Sequence, residues 1–105
     1  MLKTLLILLV CFVLTACEAN FQNNNQRIAI SEAQVIFKKQ LAVGVDMSKG
    51  PCLSNELIPD WVLDVSHDPR QPVDDLPENQ CSAYIEGKAH HFVELDENGN
   101  LLKVF

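Results

Sequence analysis

An uncharged apolar run from Leu5 to Leu14, preceded by Lys3 and followed by Thr15-Ala16-Cys17, takes the first sixteen residues of this chain out of the folding problem. A basic start, a short apolar stretch and a small-residue cleavage site, in that order, are the marks of a secretion signal. A spanning helix needs about 20 apolar residues. This run stops short of that and gives way to Glu18 and an Asn/Gln tract, so residues 1–16 are expected to be removed. Cys11 lies inside the run and reads as one more apolar side chain.

Leu14-Thr15-Ala16-Cys17 resembles the lipobox of bacterial lipoproteins. The resemblance implies that the Cys17 thiol receives a diacylglyceryl group and that cleavage just before it leaves a lipid-anchored protein. The competing readings are an ordinary signal peptide that ends near a cysteine, or an uncleaved anchor. Glu18 rather than Asp follows the lipidation site, which by resemblance to lipoprotein sorting points to the outer membrane if the source is Gram-negative.

Loss of Lys3 takes the formal net charge from -6 to -7, so the mature chain is acidic. Phosphate binding needs clustered Lys and Arg, so nucleic acid is excluded as a partner and bare anionic lipid is a poor one. Membrane attachment must then come from the lipid on Cys17.

Two cysteines remain behind the anchor, Cys52 and Cys81. An exported compartment oxidises thiols, and a domain this small buries little core, so the even pair is expected to form a disulfide.

Glu18 to Gln26 is polar apart from Ala19 and Phe21, and residues 17–27 are read as a flexible tether. Residues 28–105 then form one small α+β domain. Ser31 and Gln34 have capping-box spacing, with Ile30 and Val35 at the staple positions, so a helix is expected over Ile28 to Leu41. Ala33, Ile36, Phe37 and Leu41 share its apolar face, and Gly44 ends it. Asp46 to Pro59 reads as a loop with a short helical turn near Ser54 to Leu57. Trp61, Leu63 and Val65 alternate with Val62 and Asp64 as a half-buried strand.

His67 to Asn79 is a long loop with three prolines, and a loop of that length in so small a domain is functional or held by something. Its polar residues His67, Asp68, Arg70, Asp74 and Asp75 are the candidate binding loop, with Arg70 expected to pair with one of the neighbouring carboxylates. Ser82 to Ile85 is read as a short strand. His90 to Asp96 and Leu101 to Phe105 are two more around Asn98-Gly99, a type I′ hairpin signal. The expected architecture is one amphipathic helix packed on a small antiparallel sheet of three or four strands, ending in a β-hairpin.

The helix opening Ile30-Ser31-Glu32-Ala33-Gln34 and the hairpin from Val93 to Leu102 resemble those of PepSY-like domains. The resemblance covers Ile28 to Phe105 in outline and implies a binding or inhibitory module with no catalytic residues. The loop His67 to Asn79 and the cysteine pair depart from that family's usual pattern.

No Gly-rich phosphate loop, nucleophile elbow or zinc-ligand spacing occurs, so no cofactor and no metal are expected. Adjacent strand residues point to opposite faces, which sets His90 and His91 apart. Asp96 to Asn100 is read as a turn, not a calcium loop. Trp61 is expected in the core. The favoured function is a non-enzymatic envelope lipoprotein that binds another envelope protein or peptide. The rival is a small metal-dependent or thiol hydrolase using His67, His90, His91 and Cys81.

Overall fold

A computed structural model describes residues 23–105. The signal, Cys17 and the first part of the tether therefore lie outside the described residues.

The domain is α+β, with one long helix packed on a four-stranded sheet and a C-terminal hairpin, as its sequence implies. The first helix, α1, covers residues 23–42 and takes in residues expected in the tether. Ala29, Ala33 and Phe37 recur every fourth residue and are buried against the sheet, with Ile30 and Ile36 beside them. Starting so early, α1 leaves Ser31 in mid-helix, so the expected capping box does not form. Gln34 instead donates through Nε2 to the Gly99 carbonyl at 3.0 Å. Val35 and Leu41 are exposed and belong to neither a staple nor the core face. The helix stops where expected: Gly44 adopts φ 91, its amide donates to Leu41, and the Val45 amide donates to Gln40. That pair of bonds is the Schellman arrangement, which needs a left-handed residue.

The sheet runs in the order β1 (Cys52–Ile58), β2 (Trp61–Val65), β3 (His91–Leu95) and β4 (Leu101–Val104). The helical turn expected near Ser54 is strand β1, which pairs antiparallel with β2 through two register irregularities. Ser, Asn and Glu are weak strand formers alone, and here pairing across the Pro59-Asp60 turn overrides them. Asp60 carries φ 75, and proline followed by a left-handed residue is the pattern of a type II turn.

The sheet is mixed rather than antiparallel, because β2 and β3 run parallel, with Trp61 opposite His91 and Val65 opposite Leu95. A parallel pair needs a crossover of a dozen residues or more. Residues 66–90 provide it through two 3-10 turns, Pro72–Asp75 and Pro77–Asn79, and a short helix α2 over Ser82–Ile85. The sequence suggests a strand at that last position. Asn55 of β1 caps it as a helix instead, its Oδ1 accepting from the Ala83 amide at 2.9 Å.

The crossover changes the burial of β2. Trp61, Leu63 and Val65 face α1 together with Val93 and Leu95, so Trp61 is a core residue. Val62 is also buried, in a second cluster with Cys81 and Ala89 on the opposite face. The strand is thus covered on both faces near its start, as parallel strands usually are. Cys52 and Cys81 are joined by a disulfide with Cα atoms 5.0 Å apart, fastening the crossover to β1.

The hairpin between β3 and β4 is not a type I′ turn. Gly99 has φ 88, but Asp60 is the one non-glycine residue with positive φ among those described. The Gly99 amide donates to Asp96, and the Asp96 amide to Asn100, closing a three-residue loop with glycine at its left-handed position. Asp96 anchors it by accepting from the Asn98 and Asn100 amides.

Candidate binding groove

Strands β2 and β3 place Asp64 beside Glu94 in register, and β3 and β4 place Glu94 beside Lys103. The three side chains form a polar row on the sheet face away from α1. Val62 and Phe92 lie one pleat earlier on the same face, where Tyr84 of α2 meets Phe92 edge to face, with ring centroids 5.2 Å apart. The crossover covers only part of this face. It leaves an open cavity of about 280 Å³ between the row, Arg70, Tyr84, Ile85 and the disulfide.

Charges in the groove are unevenly matched. Arg70 donates through Nε to Asp75 at 2.8 Å and lies 3.5 Å from Glu94, as the sequence reading of a self-paired loop expects. Lys103 Nζ sits 5.8 Å from the centre of the Phe92 ring. Asp64 Oδ1 is buried and has no hydrogen-bond partner among the described residues. Burial, with Glu94 alongside, pushes the Asp64 carboxyl up to about 7. A carboxylate held near neutrality in a cavity is the kind of perturbed group that gathers at functional sites.

The loop singled out from sequence is largely occupied in holding itself. Asp74 is 1% exposed. It accepts from the His67 amide at 3.1 Å, the Gln71 amide at 2.8 Å and His67 Nδ1 at 2.9 Å. Burial pushes the Asp74 carboxyl up, but the Gln71 amide and the His67 ring and amide outweigh it and hold the group below its usual range. The same contact raises His67, whose Nε2 lies 3.5 Å from Glu97. Of the five loop residues, Arg70 reaches the groove, Asp68 and Asp75 are exposed, and His67 and Asp74 form a buried clasp. Asp74→Ala is expected to cost roughly 2 to 3 kcal/mol, because two part-buried amides and the His67 ring lose their acceptor. Urea unfolding measures this, and the His67 ring should titrate closer to its ordinary value in the variant.

His90 and His91 are not divided between two faces. His90 precedes β3, and both rings reach Asp60, His90 Nδ1 at 2.6 Å and His91 Nε2 at 3.7 Å. His91 also stacks on Trp61, with ring centroids 4.7 Å apart. His67 follows the other end of β2, so the three histidines do not converge. Cys81 is held in the disulfide, which leaves the thiol version of a hydrolase without its nucleophile. No group of three or more His, Cys, Asp or Glu among the described residues is arranged to hold a metal ion.

Sequence reasoning finds Arg70 and misses Asp64, Glu94, Lys103 and Tyr84. Asp64 and Glu94 each occupy an outward position of an alternating strand, where acidic residues are ordinary. Only the parallel register sets them side by side. Comparison with protein-family models, with curated proteins and with solved structures gives no match.

Proposed function

We propose that this chain is an exported lipoprotein, anchored through Cys17, whose domain is a small non-enzymatic binding or inhibitory module of the cell envelope. The observation that carries the binding role is the open cavity on the partly covered sheet face, lined by Asp64, whose carboxyl burial pushes up to about 7. The Cys52–Cys81 bond supports export, since such bonds persist in oxidising compartments. The resemblance to PepSY-like domains points to the same class of function, and Glu18 favours the outer membrane of a cell with two.

Anchor and fold together suggest an orientation. Five residues, Glu18 to Gln22, separate Cys17 from the first described residue of α1, and they span at most about 18 Å. Asn25 and Gln26 of α1 border a shallow pocket with Trp61, His91 and Phe105. That end of the sheet is thereby kept near the bilayer. The loop from His67 to Asp75 and the turn at Asp96 to Asn100 lie at the far end, where an envelope protein or peptide can reach them. No described helix is long and apolar enough to cross a membrane.

Metabolic labelling with a radioactive fatty acid tests the anchor. The wild-type chain is expected to take up label and fractionate with membranes, and Cys17→Ser to lose both properties. Label retained by Cys17→Ser would overturn the lipoprotein reading.

A further inference from the structure

We infer that His67 is a proton-operated latch between the crossover and the β3–β4 turn: its imidazolium ties Glu97 to the loop, and the neutral ring releases Glu97 while staying on Asp74. The latch stands on geometry apart from the lipoprotein reading, and takes from that reading only its position at the end of the domain open to a partner.

The parallel register builds it. Val65 lies opposite Leu95, and the Ser66 amide donates to the Leu95 carbonyl at 2.9 Å, so the next residue, His67, emerges beside the start of the turn. The His67 side chain is 8% exposed and meets a carboxylate at each nitrogen, with Nδ1 2.9 Å from Asp74 Oδ1 and Nε2 3.5 Å from Glu97 Oε2. The two acids are not equivalent. Asp74 is fixed: its Oδ2 accepts from the His67 and Gln71 amides, and Gly50 closes over it so tightly that a side-chain carbon there would overlap Oδ1. Glu97 has a side chain 44% exposed on the turn and can swing into water.

An imidazolium donates from both nitrogens and a neutral imidazole from one. Burial opposes charge on Asp74, but the Gln71 amide and His67 outweigh it, so the carboxylate stays ionised and only accepts. Nδ1 therefore keeps its proton in either state. The proton that leaves is the one on Nε2, and its loss turns a donor facing Glu97 into a lone pair facing a carboxylate. Attraction between loop and turn becomes repulsion.

The charged groups about His67 are Asp74 on the Pro72–Asp75 turn and Glu97 on the β3–β4 turn. Along the shallow pocket that His67 borders stand Asp68 and Arg70 of the loop, Glu94 of β3 and Lys103 of β4. The hydrogen bond to Asp74 raises the ring above its ordinary value of 6.5, burial works against the rise, and Glu97 adds to it. The latch is therefore fully closed at and below that ordinary value, as long as Asp74 is ionised, and opens as pH climbs through the raised one.

The full lipidated chain, labelled with ¹⁵N and ¹³C and held in detergent micelles, can be followed by NMR from about pH 5 to about pH 9. The His67 ring is expected to lose its proton from Nε2 and keep the one on Nδ1. The Overhauser contact between the ring and the Glu97 methylene protons should be present below that midpoint and lost above it. Exchange protection of the His67 and Gln71 amides, corrected for the intrinsic pH dependence, should persist on both sides. Glu97→Gln should lower the His67 midpoint and keep the contact throughout, because a side-chain amide can donate to the neutral Nε2. Cys17→Ser should titrate as the wild type does, so that loss of the lipid and loss of the latch are read separately. A neutral ring protonated on Nε2, a wild-type Glu97 contact that survives deprotonation, or His67 and Gln71 amides that open together with the turn would each overturn the latch.

Discussion

Opening the Cys52–Cys81 bond should lower the unfolding free energy by roughly 3.5 kcal/mol. The bond closes a loop with a sequence separation of 29, and that loop contains all of β2 and most of the crossover. In the chain-entropy view, the reduced unfolded chain regains the freedom of that whole segment. The folded state suffers as well, because Cys81 belongs to the cluster with Val62 and Ala89 that buries the outer face of β2. The measurement is guanidinium unfolding of the Cys52→Ala/Cys81→Ala double variant beside the oxidised wild type. Loss should begin in the crossover, so amide exchange at α2 should speed up before exchange at Leu63 or Val93. A variant as stable as the oxidised protein would show that the bond is incidental and that packing alone holds the crossover.

The second large effect has the opposite sign. Asp64→Asn should stabilise the domain, and only above the acidic range. The Asp64 carboxyl titrates near 3.8 when the chain is unfolded and near 7 in the fold. The folded state therefore holds a proton that the unfolded chain has given up between those two values. Below about pH 4 both states are protonated, and the residue costs nothing. The cost grows as pH rises and is complete above about 7, where the ionised carboxylate is buried beside Glu94. Asparagine removes the charge and its repulsion, so the gain at pH 8 should reach up to about 4 kcal/mol and vanish near pH 4. Urea midpoints of both proteins at the two pH values decide the matter. Destabilisation at pH 8 would mean that Asp64 is ionised and well paired in the native state. A residue retained at a cost to stability is expected where function needs it.

The two predictions differ in how far they can be read before the fold is known. The disulfide follows from counting: with Cys11 and Cys17 assigned to the signal and the lipid, Cys52 and Cys81 have only each other. The Asp64 effect follows from register. In isolation Asp64 is one outward acidic residue between Leu63 and Val65, and nothing near it in the chain suggests a second carboxylate thirty residues on.

Local chemistry that needs no distant partner is plain in the sequence. The apolar spacing of Ala33, Ile36 and Phe37, the left-handed Gly44, the alternation of Trp61, Leu63 and Val65, and the glycine turn before β4 are each written in adjacent residues, because helix and turn rules act within a few positions. Elements decided by remote contacts are misread. Ser54-Asn55-Glu56 becomes a strand because β2 offers it backbone partners, and Ser82 to Ile85 becomes a helix because Asn55 caps it from across the sheet.

The sequence by itself determined the α+β class, the amphipathic helix and its stop, the cysteine pair and the self-pairing of Arg70 within its loop. Tertiary structure alone decided that β2 and β3 run parallel, and with that the groove. Strand direction depends on the path of a crossover held by the Cys52–Cys81 bond, the Asn55 cap and the His67–Asp74 clasp. Side-chain period is the same in parallel and antiparallel strands, so no pattern along β2 or β3 could reveal which neighbours Asp64 would meet.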